Sequence, residues 1–168
     1  MKTKTTIFII AILIVIGFAI YLTFEKEQAK ANRVKIINTD IDKIVARMNR
    51  VLDEPEGFAT HTKMQRDDDE TRLRQIASSV NAEINDIIIE MKANGYPYED
   101  KLKKETDWFF AVYNGKVESD KMSYEWDDLG DSKLKKEEDA MRDQAGKDAA
   151  AALSDVQSLK VDSSNLTE

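Results

Sequence analysis

The sequence predicts a mainly α-helical protein: an N-terminal transmembrane helix, then a three- to four-helix bundle. Three observations carry this. Residues 7–24 hold eighteen residues without a charge, all apolar except Gly17 and Thr23. Downstream segments repeat apolar residues every three or four positions, the period of one helix face. Only two prolines and six glycines interrupt 168 residues.

The first element is the span. A bilayer core needs about 20 apolar residues of helix, with a range of roughly 17 to 25. Residues 7–24 meet that requirement, after a short cytoplasmic N-terminus, 1–6, that carries Lys2 and Lys4. The rival reading is a cleaved signal peptide. Lys2 and Lys4 would be its basic region, and Gly17-Phe18-Ala19 its small-x-small cleavage site after Ala19. The apolar run continues through Ile20, Tyr21, Leu22 and Phe24 without a polar break, which favours an uncleaved signal anchor. A lipoprotein anchor is excluded, because there is no cysteine to acylate.

The expected location is the cytoplasmic (inner) membrane of a bacterial envelope, single-pass, with the C-terminal domain extracytoplasmic. Lys26, Lys30, Arg33 and Lys35 after the span oppose export on a bare count of basic residues. Long domains, however, cross largely regardless of charge.

The expected domains are the anchor at 7–24, an extracytoplasmic helical domain at 25–160 and a disordered tail at 161–168. Residues 25–168 carry 23 basic and 32 acidic residues, nine net negative charges. That charge repels phosphate backbones, so nucleic acid is an improbable partner. It also argues against a polybasic hold on anionic lipid. Without cysteine there are no disulfides, thiolate metal sites or thiol nucleophiles.

Val34, Ile37, Ile41, Ile44, Met48 and Val51 are spaced 3, 4, 3, 4, 3. This is a heptad seam on a helix that continues out of the membrane and stops near Asp53, before Pro55 and Gly57. The seam is shorter than a secure coiled coil requires, so packing inside one bundle is the leading reading. A homo-oligomer is the alternative. The second helix carries Leu73, Ile76, Val80, Ile84, Ile87 and Met91, widened by Ala77 and Ile88. It starts between Thr60 and Asp68 and ends at Asn94-Gly95. Acids at 67–70 would complement a first turn.

The segment 98–113 reads as a helix ending at Asn114-Gly115. Asn-Gly is also a strong hairpin signal, so a small β-hairpin over 108–122 is the alternative. Residues 123–132 read as a loop around Gly130. The last helix spans 132 to about 160, with Leu134, Met141, Ala145, Ala152, Val156 and Leu159 as a weak stripe. The alanines at 149–152 allow a partner backbone to come close.

Catalytic motifs are absent: no Ser/His/Asp order, phosphate loop or dinucleotide loop appears. The expectation is a non-enzyme without cofactor or metal. His61 is the only histidine, and no second ligand motif accompanies it. The acids around Gly130 fail the EF-hand spacing, because Leu129 and Lys136 stand where the loop needs acids.

The sharpest functional feature is aromatic clustering. Eight of thirteen aromatics lie between Tyr96 and Trp126. Trp108, Phe109 and Phe110 are consecutive, so one helix face cannot bury all three. Trp108, Phe110, Tyr113 and Trp126 are the candidate partner-binding residues, since exposed Trp and Tyr are typical interface anchors. The expected function is a non-catalytic protein-interaction or scaffold module of the cell envelope. Its partners would be membrane lipid through the first helix and another envelope protein. A small-ligand-binding domain is the alternative reading, and an exported enzyme a more distant one.

Overall fold

The computed structural model describes residues 2–166, with backbone alone for 2–12. Among the described residues the chain forms four α-helices, one 3-10 turn and no strand. The helices are α1 (Lys2–Leu52), α2 (Lys63–Ala93), α3 (Glu99–Asp128) and α4 (Ser132–Ser158). Each helix packs against its neighbours in sequence, and α4 closes the ring against α1. This is an up-down-up-down four-helix bundle.

Helix α1 runs 51 residues, about 77 Å at 1.5 Å per residue. Its two halves differ. From Leu13 to Phe24 the large apolar side chains are 43 to 68 % exposed on every side. Beyond 34 the heptad seam is buried: Ile37, Ile41, Ile44, Met48 and Val51 are fully covered. The seam is therefore spent inside the chain's own bundle. Among the described residues no helix is long and apolar enough to cross a membrane. The expected span at 7–24 falls partly on 7–12, whose side chains lie outside the described residues.

The start of α2 is set by a capping box. The Thr62 amide donates to Gln65 Oε1 at 2.9 Å, and the Thr62 side chain caps the third helical amide. The acids at 67–70 therefore lie beyond the first turn, which corrects the dipole reading of them. Three of the four are paired instead: Asp67 and Glu70 with Lys121, Asp69 with Arg72 and by a hydrogen bond with His61, Glu70 also with Arg74. Helix α2 ends in a Schellman motif. The Tyr96 amide returns to Met91 O at 3.0 Å and the Gly95 amide to Lys92 O at 2.9 Å. Gly95 sits at φ +78° to permit it. The same motif at Leu129–Gly130 closes α3 and turns the chain into α4.

Three expectations are corrected. The hairpin over 108–122 does not form, and α3 runs straight through Asn114-Gly115. Buried Phe109, Tyr113, Val117 and Asp120 lie on one face either side of Gly115. Their packing outweighs the roughly 1 kcal/mol that a helical glycine costs. The loop expected at 123–132 shrinks to 129–131 for the same reason, since Ser123 is buried and Trp126 half-buried. The tail is packed as far as Leu166. Asn38 Nδ2 donates to Val161 O at 2.9 Å, and the Val161 amide donates to Asn38 Oδ1 at 2.8 Å. Val161 and Leu166 are both buried. Residues 167–168 lie outside the described residues.

Gly57 takes φ +75° in the connection between α1 and α2. A Cβ there would lie 2.8 Å from Asp69 Oδ2 and 2.9 Å from His61 Cε1. Gly57→Ala is expected to cost about 1–2 kcal/mol in backbone strain alone, with further loss from displacing the His61–Asp69 pair. Chemical denaturation of the variant checks this; an unchanged midpoint would contradict it.

Candidate functional site

Helix α1 stops at Leu52, with Pro55 and Gly57 just beyond, but α4 does not stop alongside it. Asp42 pairs with Lys160 at 2.6 Å in antiparallel register. Counted from that pair, the end of α1 at Leu52 falls near position 150 of α4. The stretch of α4 before that point extends beyond α1, and a cleft opens where the α1 layer ends. It measures about 620 Å³ and is lined by Glu56, Lys116, Asp120, Tyr124, Arg142 and Asp143, among others.

Charged side chains at the cleft wall are paired with one another. Glu56, from the connection after α1, pairs with Lys116 and lines the cleft together with Asp120. Arg142 Nη1 donates to Asp120 Oδ1 at 3.2 Å and lies 3.1 Å from Asp139 Oδ1. Its Nη2 donates to Asp143 at 3.0 Å. Ser123 Oγ, also buried, donates to Asp139 at 2.6 Å.

Asp120 is only 5 % exposed. Its carboxyl is pushed up to about 7 by burial, then by the hydrogen bond with Glu56 and the charge of Glu56. Burial also opposes the charge on Glu56. The hydrogen bond from Asp120 and the ammonium of Lys116 outweigh it and hold the Glu56 carboxyl below its ordinary range.

The structure separates the four candidate contact residues. Phe110 and Tyr113 are buried in the core at 5 and 1 % exposure. Trp108 is 52 % exposed and Trp126 half-buried. Eighteen residues apart on α3, the two tryptophans lie about 27 Å apart along its axis. They share a helix face but not a patch. Phe109, Phe110 and Tyr113 belong to the core, and Trp108 is the most exposed of the four candidates.

Neither Glu56 nor Asp120 was marked by its residue type. Asp120 was marked by position, since it follows Tyr113 by seven residues on the buried stripe of α3. Arg66 is another buried charge without a local signal, at 5 % exposure. It donates to Phe58 O at 2.9 Å and Asp128 at 2.6 Å, and lies over the Tyr124 ring at 5.6 Å. His61 pairs with Asp69 rather than Asp67 or Asp68.

No protein-family model, curated protein or solved structure matches this chain.

The Tyr113 hydroxyl is buried without a hydrogen-bond partner among the described residues. Burial, with the charges of Glu56 and Glu54, pushes it up to about 12. Tyr113→Phe removes the unpaired group and keeps the ring. It is expected to leave stability unchanged or raise it by about 1 kcal/mol. A loss above that size on denaturation would show that the hydroxyl is paired in solution.

Proposed function

We propose that this chain is a single-pass, membrane-anchored helical module of the cell envelope. Its bundle lies outside the cytoplasmic membrane and binds another envelope protein rather than performing catalysis. The observation that carries this reading is the continuity of α1. One unbroken helix joins a segment with apolar side chains exposed all round to a fully buried heptad seam. In water, an apolar surface of that extent calls for a covering phase or partner. A lipid bilayer would cover it from every direction. Residues 25–33, polar apart from two alanines, would hold the bundle about 14 Å from the membrane as a helical stalk.

Trp108 is the contact residue that the arrangement favours. The test is photo-crosslinking from position 108 in cells, with identification of the adducts. A discrete heterologous adduct supports the interaction reading. Self-adducts alone favour a homo-oligomeric scaffold, and no adduct counts against Trp108 as a contact. The second reading, a small-ligand-binding domain, draws support from the 620 Å³ cleft. Its lining is charged, however, with Tyr124 as the aromatic among the residues at its wall. Ligand-dependent thermal stabilisation of the bundle would favour it.

A further inference from the structure

The connection after α1 covers only part of the layer that α1 leaves. Arg72 and Arg66 hold it against α2 through Pro55 O and Phe58 O. Glu56 carries it to α3 at Lys116. The 620 Å³ cleft lies on the remaining side, toward α4. Two small residues of α4 keep it open. A Cβ on Gly146 would meet nothing within 4 Å, and Ala150, a turn further on, brings only a methyl.

Charge is graded along this cleft. Helices α3 and α4 run antiparallel, in a register set by Asp127 with Lys135, Ser123 with Asp139 and Asp120 with Arg142. Counted from these pairs, Lys116 falls level with Gly146. At its own level Arg142 meets three carboxyls, those of Asp120, Asp139 and Asp143. One turn along, about 5.4 Å, Lys116 and Lys147 stand with Glu56. Carboxyls are in excess at the first level and cations at the second. Each level also has an open partner. Arg142 engages Asp143 through Oδ1 alone. Lys147 is exposed and makes no ion pair among the described residues.

We propose that the cleft is a binding site for a short zwitterionic peptide, its ammonium on Asp143 and its carboxylate on Lys147. This names a ligand class for the second reading above and does not depend on the membrane anchor. A simple anion would meet the carboxyls, and a simple cation the lysines. A ligand with both signs finds a partner for each. Two extended residues span about 7 Å, enough to bridge groups one turn apart, whereas a single amino acid holds its charges within about 3.5 Å. Such a peptide would lie along α4 over Gly146. The cleft volume falls among those of small-molecule sites, about 300–1,000 Å³.

Amide NMR of the full chain in detergent, titrated with alanyl-alanine to millimolar concentration, tests this. The amides of Gly146 and Lys147 are expected to shift and saturate, while those of Val80 and Ile84 in the core of α2 hold still. N-acetyl-alanyl-alanine and alanyl-alanine amide each lack one charge and are expected to bind about tenfold more weakly. Gly146→Leu keeps every charge, favours the helix and fills the cleft, so it should abolish the shift at Lys147. Lys147→Ala should weaken binding about threefold and serves if the leucine variant fails to fold. Undiminished binding to either folded variant overturns the proposal. Equal or tighter binding of a blocked peptide overturns the zwitterion and leaves a ligand-binding cleft. No shift with any of the three peptides overturns the proposal and removes the support for the second reading as well.

Discussion

Replacing Phe109 with alanine is expected to cost about 3–5 kcal/mol, the range for truncating a fully buried aromatic. Phe109 has no exposed surface. Its ring stacks on Tyr113 at 6.5 Å and meets Phe110 edge-on at 5.1 Å. The loss therefore includes the aromatic contacts as well as the cavity. A domain of this size is stable by about 5–15 kcal/mol, so the variant loses about a fifth or more of its margin. The midpoint of thermal unfolding should fall by roughly 10 °C or more. Trp108→Ala, one position earlier, removes a half-exposed side chain and should change stability by about 0.5 kcal/mol or less. The contrast between adjacent positions tests the orientation of α3 directly. Equal losses at 108 and 109 would mean that Trp108 is covered in solution.

That contrast also shows what the sequence does and does not disclose. Three consecutive aromatics guarantee that one points away, but they do not say which. Burial of Phe109 follows from its place three residues after Thr106 and four before Tyr113, both on the stripe that begins at Leu102. The heptad from Ile37 to Val51 and the stripe of α2 were legible because apolar residues recur there without interruption. Helix α3 was less so, because Asn114-Gly115 is a strong local signal that only the packing on either side overrides. The start of α2 was legible in principle, since Thr62-Lys63-Met64-Gln65 matches a capping box. The packed tail was hidden, because its fastening to Asn38 spans 123 residues. The cleft was hidden for the same reason. Glu56, Asp120 and Arg142 lie on the α1–α2 connection, α3 and α4, and no local spacing brings them together.

The second large effect concerns the exposed half of α1. Lysine at both 14 and 18 (Ile14→Lys with Phe18→Lys) is expected to move the chain from the membrane fraction to the soluble fraction. Both native side chains are exposed, at 66 and 62 %, and neither belongs to the bundle core. Each lysine near the centre of the proposed span costs about 2.5–3.5 kcal/mol of insertion, so the pair costs about 6 kcal/mol. The bundle should keep its unfolding midpoint, because α1 contributes to the core only from about 34 onward. A variant that stays membrane-bound would place the attachment elsewhere. A variant that loses bundle stability would show that the exposed half packs on the domain.

In the proposed function α1 divides into an anchoring half and a folding half. Fractionation of two chains, 1–168 and 25–168, combined with thermal unfolding of the shorter one, tests that division most directly. The chain 1–168 is expected to be recovered with membranes. The chain 25–168 is expected to be soluble and to unfold cooperatively. A soluble 1–168, a membrane-bound 25–168 or a shorter chain without a cooperative transition would contradict it.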